Sequence, residues 1–319
     1  MKIVASFSRL EEIKPLAAAG ADELYCSVDP LFSFGDPVGL PSFRELGRAA
    51  AAAHALGLKL SLAVNHVNPV FKVSEEAGLV RKFSAARAAG VDAFIFANPG
   101  VLALLGRADL RGAQLHLSSV QPCFNSLTAG LFIGLGVSRV ILPNQLAPLE
   151  AAALLKLCAA RGVDTELFDY RFFGCAYVNG RCGLHRPDNY TLKVRVPPGS
   201  MCRPELGGAA LPRAVNPRPA WLDRVPALSA RVADRFGCGG GPRLANAASF
   251  FDYFVSGVQY LKYGTRPDRA AVKARKVAAL RAMLDLAEEL AAALPRAEAR
   301  ERFILKMEKW DGGSVRHAS

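Results

Sequence analysis

One unit repeats along the first half of the chain: an alanine-rich helix, a glycine and then a short, almost entirely apolar strand. Glycine suits the turn between helix and strand because it adopts the left-handed backbone conformation at little cost. Apolar strands that alternate with helices are typical of parallel sheets covered by helices. The predicted strands are 3–7, 21–28, 58–65, 91–98, 113–119, 137–144, 163–170 and 258–264.

Eight such units predict a single domain with a (β/α)8, TIM-barrel-like α/β fold. We expect the barrel domain over 1–294 and a C-terminal helix and tail over 295–319, with clear helices at 43–56, 149–160 and 269–293. An open, doubly wound parallel sheet is the alternative, but no GxGxxG pattern follows the first strand. For the same reason no nucleotide cofactor is evident.

Composition excludes several classes of protein. With 51% hydrophobic and 21% charged residues, the chain is not intrinsically disordered. No run of eighteen uncharged apolar residues occurs, and the N-terminus lacks the pattern of a signal peptide, so we expect no membrane span and a cytoplasmic location. Reduced thiols in that compartment, and an odd total of 7 cysteines, argue against a disulfide framework.

A segment rich in proline, glycine and arginine, 171–246, interrupts the repeat between the seventh and eighth strands. It contains 12 lysines and arginines but only 4 acidic residues. This excess of basic residues is two-thirds of the net charge of +12 that the whole chain carries. We predict one helix within it, at 228–236. An insertion at this point lies on the face where barrel enzymes carry their active sites, so we expect the chemistry there.

Four of the seven cysteines lie inside this insertion. Four thiolates can hold a [4Fe–4S] cluster or a zinc ion, and the chain lacks the tightly spaced cysteine pairs of zinc ribbons. Spacing alone leaves metal binding and scattered reduced thiols as open alternatives. Cys123 and Cys158 fit buried apolar positions, and Cys26 either does so too or approaches the barrel mouth. The four candidate metal ligands are Cys175, Cys182, Cys202 and Cys238.

The segment from Glu166 to Leu184 resembles the signature of the collagenase-like peptidase family U32, and segments 118–142 and 257–266 are similar to further parts of that family. The resemblance covers most of 1–290 and implies a barrel fold with a [4Fe–4S] cluster on the four cysteines. His185 departs from the family's serine, and Val120 from an expected glutamine. In length and cysteine layout the chain is most similar to short members that hydroxylate ubiquinone precursors without oxygen.

The resemblance implies oxygen-independent hydroxylation of a small molecule or quinone precursor, with a prephenate-like oxygen donor as the anionic substrate. We expect an iron–sulfur-dependent hydroxylase rather than a peptidase, since neither GxSxG nor HExxH occurs. The first alternative is hydroxylation of a base in RNA, whose phosphates the basic insertion would bind. The second is a peptidase or a structural zinc protein. A heterodimer with a related family member is a further expected partnership.

Ionisable side chains on the last two strands are the main site candidates. Arg266 and Lys262 are expected to bind a substrate carboxylate, the arginine through paired hydrogen bonds and the lysine as a point charge. The alternative is a salt bridge from either residue to Glu166 or Asp169. Glu166 is a candidate catalytic residue, because a buried carboxylate needs a cationic partner such as Lys262 or a role in proton transfer.

Two histidines and two asparagines complete the candidate site. His185 is expected to donate or shuttle a proton, with a solvated loop histidine as the alternative. His116, near the end of the fifth strand, either binds substrate or is a hydrogen-bonded residue of the barrel core. Asn65 and Asn98 end the third and fourth strands, where they either face the substrate or cap the next helix.

Overall fold

The computed structural model describes residues 1–34, 39–66, 69, 71–171, 245–266 and 268–314. Eight parallel strands form a closed barrel in sequence order, in which the first strand pairs with both the second and the last. This confirms the predicted barrel and excludes the open sheet. The strands are β1 Lys2–Ser6, β2 Glu23–Cys26, β3 Lys59–Val64, β4 Ala93–Phe96, β5 Gln114–Leu117, β6 Arg139–Ile141, β7 Asp164–Phe168 and β8 Tyr260–Tyr263.

Helices cover the outside of the barrel between successive strands, and the three helices predicted with clear bounds are present. Short 3-10 turns at Leu10–Glu12 and Val73–Glu75 precede two of them. The described α-helices are Ile13–Ala18, Phe43–His54, Glu76–Ala88, Pro99–Leu105, Ser126–Gly134, Pro148–Ala160, Ala247–Val255, Ala270–Ala293 and Arg296–Ser314. Not one of these helices is long and apolar enough to cross a membrane.

A glycine with positive φ precedes every strand from β2 to β8, as the repeat predicts. Gly90, before β4, shows why the position needs glycine, since its φ is 102° and a Cβ there would lie 2.9 Å from the Cβ of Ala50. Any other residue at this position would be strained and would clash with the helix Phe43–His54. The glycines therefore fix the point at which each helix turns back into the barrel wall.

Successive side chains on each strand point alternately outward and inward, and this produces two separate apolar layers. The larger cluster lies between the barrel and its helices and includes Ile3, Leu24 and Leu261 from three different strands. A smaller cluster fills the barrel interior with the residues of opposite parity, such as Val4 and Tyr25. The inward-facing set also contains charged side chains, and these form the candidate site.

The final helix, Arg296–Ser314, packs against Ala247–Val255, the helix that leads into β8. The ring of Phe303 lies 5.3 Å from that of Phe251 and 5.7 Å from that of Phe250, measured between centroids. An ion pair joins Arg300 to Asp252, with Nε 2.9 Å from Oδ1. This packing anchors the chain where it returns to the barrel after the insertion.

Candidate functional site

A network of two carboxylates and two cations fills the middle of the barrel. Glu166 on β7 accepts hydrogen bonds from Lys262 on β8, at 2.8 Å, and from Arg139 on β6, at 3.0 Å. Arg139 also donates to both carboxylate oxygens of Glu23 on β2, at 2.9 and 3.1 Å. Ser61 donates to Glu23 at 2.6 Å. All five side chains are buried, so opposite charges balance where water cannot screen them.

Charge balance determines the protonation state of Glu166. Burial by itself would raise the pKa of this carboxyl, but the neighbouring Lys262 ammonium and Arg139 guanidinium outweigh burial and hold the pKa below its ordinary value. Glu166 is therefore ionised at neutral pH. An ionised carboxylate accepts hydrogen bonds and cannot donate a proton.

Two tyrosine rings line the same network. The guanidinium carbon of Arg139 lies 3.5 Å from the centroid of the Tyr260 ring, and Nζ of Lys262 lies 4.0 Å from that of Tyr25. Both distances are typical of cation–π contacts, which gain strength when they are desolvated. Burial raises the pKa of Tyr25 to about 12, so this phenol remains neutral. Its hydroxyl donates to the carbonyl of Gly264 at the end of β8, at 3.2 Å.

His116 lies inside the barrel, directly across from Arg139 in the β5–β6 register. Burial, followed by the charges of Arg139 and Lys262, lowers the pKa of its imidazole well below the ordinary value. His116 is consequently neutral at physiological pH. Its Nε2 lies 3.4 Å from Oε1 of Gln114, and Nδ1 has no hydrogen-bond partner among the described residues. The structure thus places His116 within the charge network rather than at the mouth.

Arg266 follows β8 at the mouth and is only 7% exposed. Its guanidinium donates to the hydroxyl of Ser27 at 3.0 Å, to the hydroxyl of Ser33 at 3.1 Å and to the carbonyl of Phe34. These partners are neutral, and within the described part of the chain no carboxylate forms an ion pair with Arg266. The salt bridge considered as an alternative is therefore made by Lys262 and not by Arg266.

The segment after β2 extends over the mouth to the ends of β3, β4 and β5. The backbone N–H of Phe34 donates to Oδ1 of Asn65 at 3.1 Å, and Nδ2 of Asn65 donates to Ser118 at 2.9 Å. The Phe34 side chain packs on Ala97 and Val120, at the ends of β4 and β5. Asn65 thus links three parts of the mouth instead of capping a helix.

Asn98 caps a helix, which was the alternative to a role in substrate binding. Its side chain caps the helix Pro99–Leu105 and accepts from the backbone N–H of Gly100 at 2.8 Å.

Cys26 lies in the apolar layer outside the barrel, where burial raises the pKa of its thiol to about 12. Cys26 therefore packs as a core residue and does not reach the mouth.

The remaining candidates, His185 and the four cysteines 175, 182, 202 and 238, lie outside the described residues. The described residues on either side of this segment lie at the mouth. Tyr170, after β7, and Ala245, before the next helix, line one cavity together with Asn144 and Phe250. Both ends of the insertion therefore meet the barrel at the carboxyl ends of β6 and β7, as predicted for a segment at the active-site face.

Sequence reasoning missed Arg139 and Glu23, the two residues that complete the network. Each is the first residue of a short strand whose remaining residues are apolar and buried. A charge in that position needs a buried partner of opposite sign, and this signal was available in the sequence. The sequence did not show which residue is that partner, because β2 and β6 face each other only across the barrel interior.

The fold and this interior define an eight-stranded parallel α/β barrel with a charged core and a large insertion after β7. The sequence profile of peptidase family U32 matches residues 8–187. The chain belongs to this family.

Two curated relatives and one solved structure are similar to the chain. The tRNA hydroxylation protein P of Helicobacter pylori strain J99 is 28% identical over 208 residues, which are 63% of this chain and 45% of the relative. The same protein of strain 26695 matches to the same extent. The chain therefore spans less than half the length of these relatives. The structure of the U32 peptidase Mk0906 aligns at 12% identity with a TM-score of 0.45, over 84% of this chain and 95% of that one.

Proposed function

We propose that this chain acts in the hydroxylation of a base in RNA. The observation that carries the proposal is the match over 208 residues to proteins named for tRNA hydroxylation. That match favours RNA over the quinone precursor that the sequence suggested first. Because the chain spans 45% of those relatives, their substrate and activity are carried over here as a proposal.

Basic side chains around part of the mouth support an RNA partner. We call Arg9, Lys14, Arg44, Arg269 and Arg275 the basic rim. All are exposed and lie after β1, β2 or β8, before or within the first two turns of the next helices. Among the described residues, only Arg9 of the rim has an acidic partner, Glu11, at 3.8 Å. Exposed, uncompensated cations of this kind bind phosphates with little dependence on sequence.

A [4Fe–4S] cluster on Cys175, Cys182, Cys202 and Cys238 is part of the proposal. Cluster ligands are thiolates, and the three described cysteines do not suit that role. Burial raises the thiol pKa of Cys123 to about 12 and of Cys158 to about 11, and Cys26 is similarly protonated. The four insertion cysteines are the donor set that the family resemblance implies, and when bound the cluster would supply electron transfer.

Arg266 is the proposed site for an anionic oxygen donor. Converting C–H to C–OH removes two electrons from the base, so the reaction needs a co-substrate that gives up oxygen and accepts those electrons; a prephenate-like dicarboxylate is the class we propose. Among the described residues, the buried Arg266 guanidinium donates only to neutral oxygens and forms no ion pair, so its positive charge has no counter-charge there. A carboxylate that replaced the Phe34 carbonyl would balance it through paired hydrogen bonds.

The charge network beneath the mouth would hold this site in place. Glu166 is ionised, so its proposed part is to orient Lys262 rather than to donate a proton. The Tyr25 ring covers the lysine ammonium on one side, and the ammonium is buried. Lys262 would then present one fixed positive charge below the anion at Arg266.

Anaerobic purification tests the cluster. We expect about four irons and four sulfides per chain with absorbance near 400 nm, both lost in Cys175→Ala, because a missing thiolate opens the ligand set. The matched control is Cys158→Ala, which removes a buried thiol and should keep the full iron content. Stoichiometric zinc without sulfide in the wild type would reject the cluster and favour the structural zinc alternative.

Mass spectrometry of nucleosides tests the RNA substrate. RNA from cells that lack this chain should lose one hydroxylated nucleoside, which the wild type restores and Cys175→Ala does not. Arg266→Met should fail in the same assay while retaining its cluster. An unchanged nucleoside profile together with a lost hydroxylated metabolite would reject RNA and favour the small-molecule function.

A further inference from the structure

Residues 112–149 contain a single charged side chain, that of Arg139, although 21% of the whole chain is charged. Arg139 is buried inside the barrel, so the surface of this segment carries no ionised aspartate, glutamate, lysine or arginine. The segment includes β5, β6 and the helix Ser126–Gly134 between them. An uncharged surface of this length is unusual for a soluble domain and needs a physical reason.

Large apolar side chains project from this surface. Leu127 is 85% exposed and Leu131 is 62% exposed, both on the helix Ser126–Gly134, and Leu149 on the adjoining helix is 88% exposed. Leu135 and Phe124 continue the same surface at the two ends of the first helix. We call these five residues the apolar face. Five exposed large apolar side chains on and beside two packed helices are typical of an interaction site.

From this face we infer that the chain forms a symmetric homodimer through the helix Ser126–Gly134. Leu127 and Leu131, four residues apart, form a ridge, and exposed Gly134 leaves a gap beside it at the end of the same helix. A Cβ at Gly134 would have no atom within 4 Å, so the gap is open to a partner. A helix with both a ridge and a gap fits a second copy of itself related by a twofold axis.

Charge favours a second copy as the occupant. With a net charge of +12, two chains repel each other wherever charged surfaces meet. The apolar face is the described surface on which they can approach without burying a charge or opposing like charges. Glu150 and Lys156 on the helix Pro148–Ala160 lie just outside it and can form a polar rim.

The number of accessible residues in this region is comparable with that of a standard interface. Standard interfaces use about 20–30 residues from each partner. Exposed and half-exposed residues between Gln121 and Ala153 reach that size, because the helices Ser126–Gly134 and Pro148–Ala160 pack side by side. The face is also separate from the basic rim, which follows β8, β1 and β2, so the dimer would leave the mouth accessible from that side.

Sedimentation velocity combined with light scattering on the full, anaerobically purified chain tests the dimer. We expect the wild type at micromolar concentration to have twice the chain mass of 34.1 kDa. Leu131→Glu should be monomeric, with at least a hundredfold weaker association. Leu305→Glu is the matched control, since Leu305 is 51% exposed on the helix Arg296–Ser314 and lies outside the face; it should remain dimeric.

Three outcomes would overturn the inference: a monomeric wild type at 100 µM, a Leu131→Glu variant that still dimerises, or dissociation by Leu305→Glu. Leu127→Lys provides a second test if Leu131→Glu does not fold, because the Leu127 side chain is almost fully exposed and contributes little to the monomer. A wild-type monomer that binds vesicles of anionic lipid would assign the face to a membrane surface instead.

Discussion

The basic rim and the apolar face belong to the same barrel and are built from the same repeating unit, yet they differ completely in charge. The rim gathers exposed arginines and a lysine around β8, β1 and β2, whereas the surface across β5 and β6 has no charged side chain. The comparison shows that the repeat specifies the fold while the outward residues of each unit are free to specify a partner. A polyanion suits the first region and an uncharged surface suits the second.

The largest expected effect concerns Arg139, the single charged residue in the sequence of the otherwise uncharged segment. Arg139→Met should lower the free energy of unfolding by about 3–5 kcal/mol, because Glu23 and Glu166 would both lose a buried partner. Urea denaturation measures the loss. Arg111→Met is the control, since Arg111 is exposed at the opposite end of the barrel and should change stability little.

A smaller loss for Arg139→Met, within 1 kcal/mol of the wild type, would contradict the assignment of this charge to the interior. It would mean that the network relaxes or admits water.

The next largest effect is that of salt concentration, which should weaken RNA binding at the basic rim but not dimerisation through the apolar face. If five rim cations contact phosphates, raising salt from 50 to 200 mM should weaken binding of single-stranded RNA about 100-fold. Dimerisation through the apolar face should be unchanged or slightly stronger, because no ion pair is broken. Filter binding and sedimentation over the same salt series measure both. A dimer that dissociates in salt would show that charge, and not the apolar face, holds it together.

The smallest of the three effects comes from reversing two rim charges. Arg269→Glu/Arg275→Glu should lower RNA affinity about tenfold at fixed salt and reduce the slope of log affinity against log salt by about 1.4, since two phosphate contacts are lost. Dimerisation should not change. Arg111→Glu, the same reversal at the opposite end of the barrel, should leave both properties at the wild-type level; an equal loss there would mean that net charge matters and position does not.

Much of the fold could be predicted from local sequence. The glycine before each strand, the apolar strands and the alanine-rich helices are short-range signals, and all eight strands lie where the pattern predicts them. The insertion after β7 was visible for the same reason, as a break in the repeat. The four proposed metal ligands and His185 belong to it in sequence, and their roles stay predictions.

The site was less predictable because its contacts join distant strands. Lys262 and Glu166 could be paired from sequence, since they belong to adjacent strands and have opposite charge. Arg139 bridges β2 and β7 across the interior, a contact that no local pattern encodes. Arg266 was expected to bind carboxylate, and its contacts with Ser27, Ser33 and Phe34 depend on how the segment after β2 crosses the mouth.

The sequence by itself determined the barrel, its eight units and the position of the insertion, because helix periodicity, apolar strands and glycine turns act over a few residues. It also determined which side chains are charged. Tertiary structure decided which charges meet. Barrel closure turns the inward residues of eight strands toward one axis, and in that water-free interior a charge is stable only beside its opposite. The same closure sorts the outward residues into separate sectors, so that the basic rim and the apolar face lie apart on one molecule.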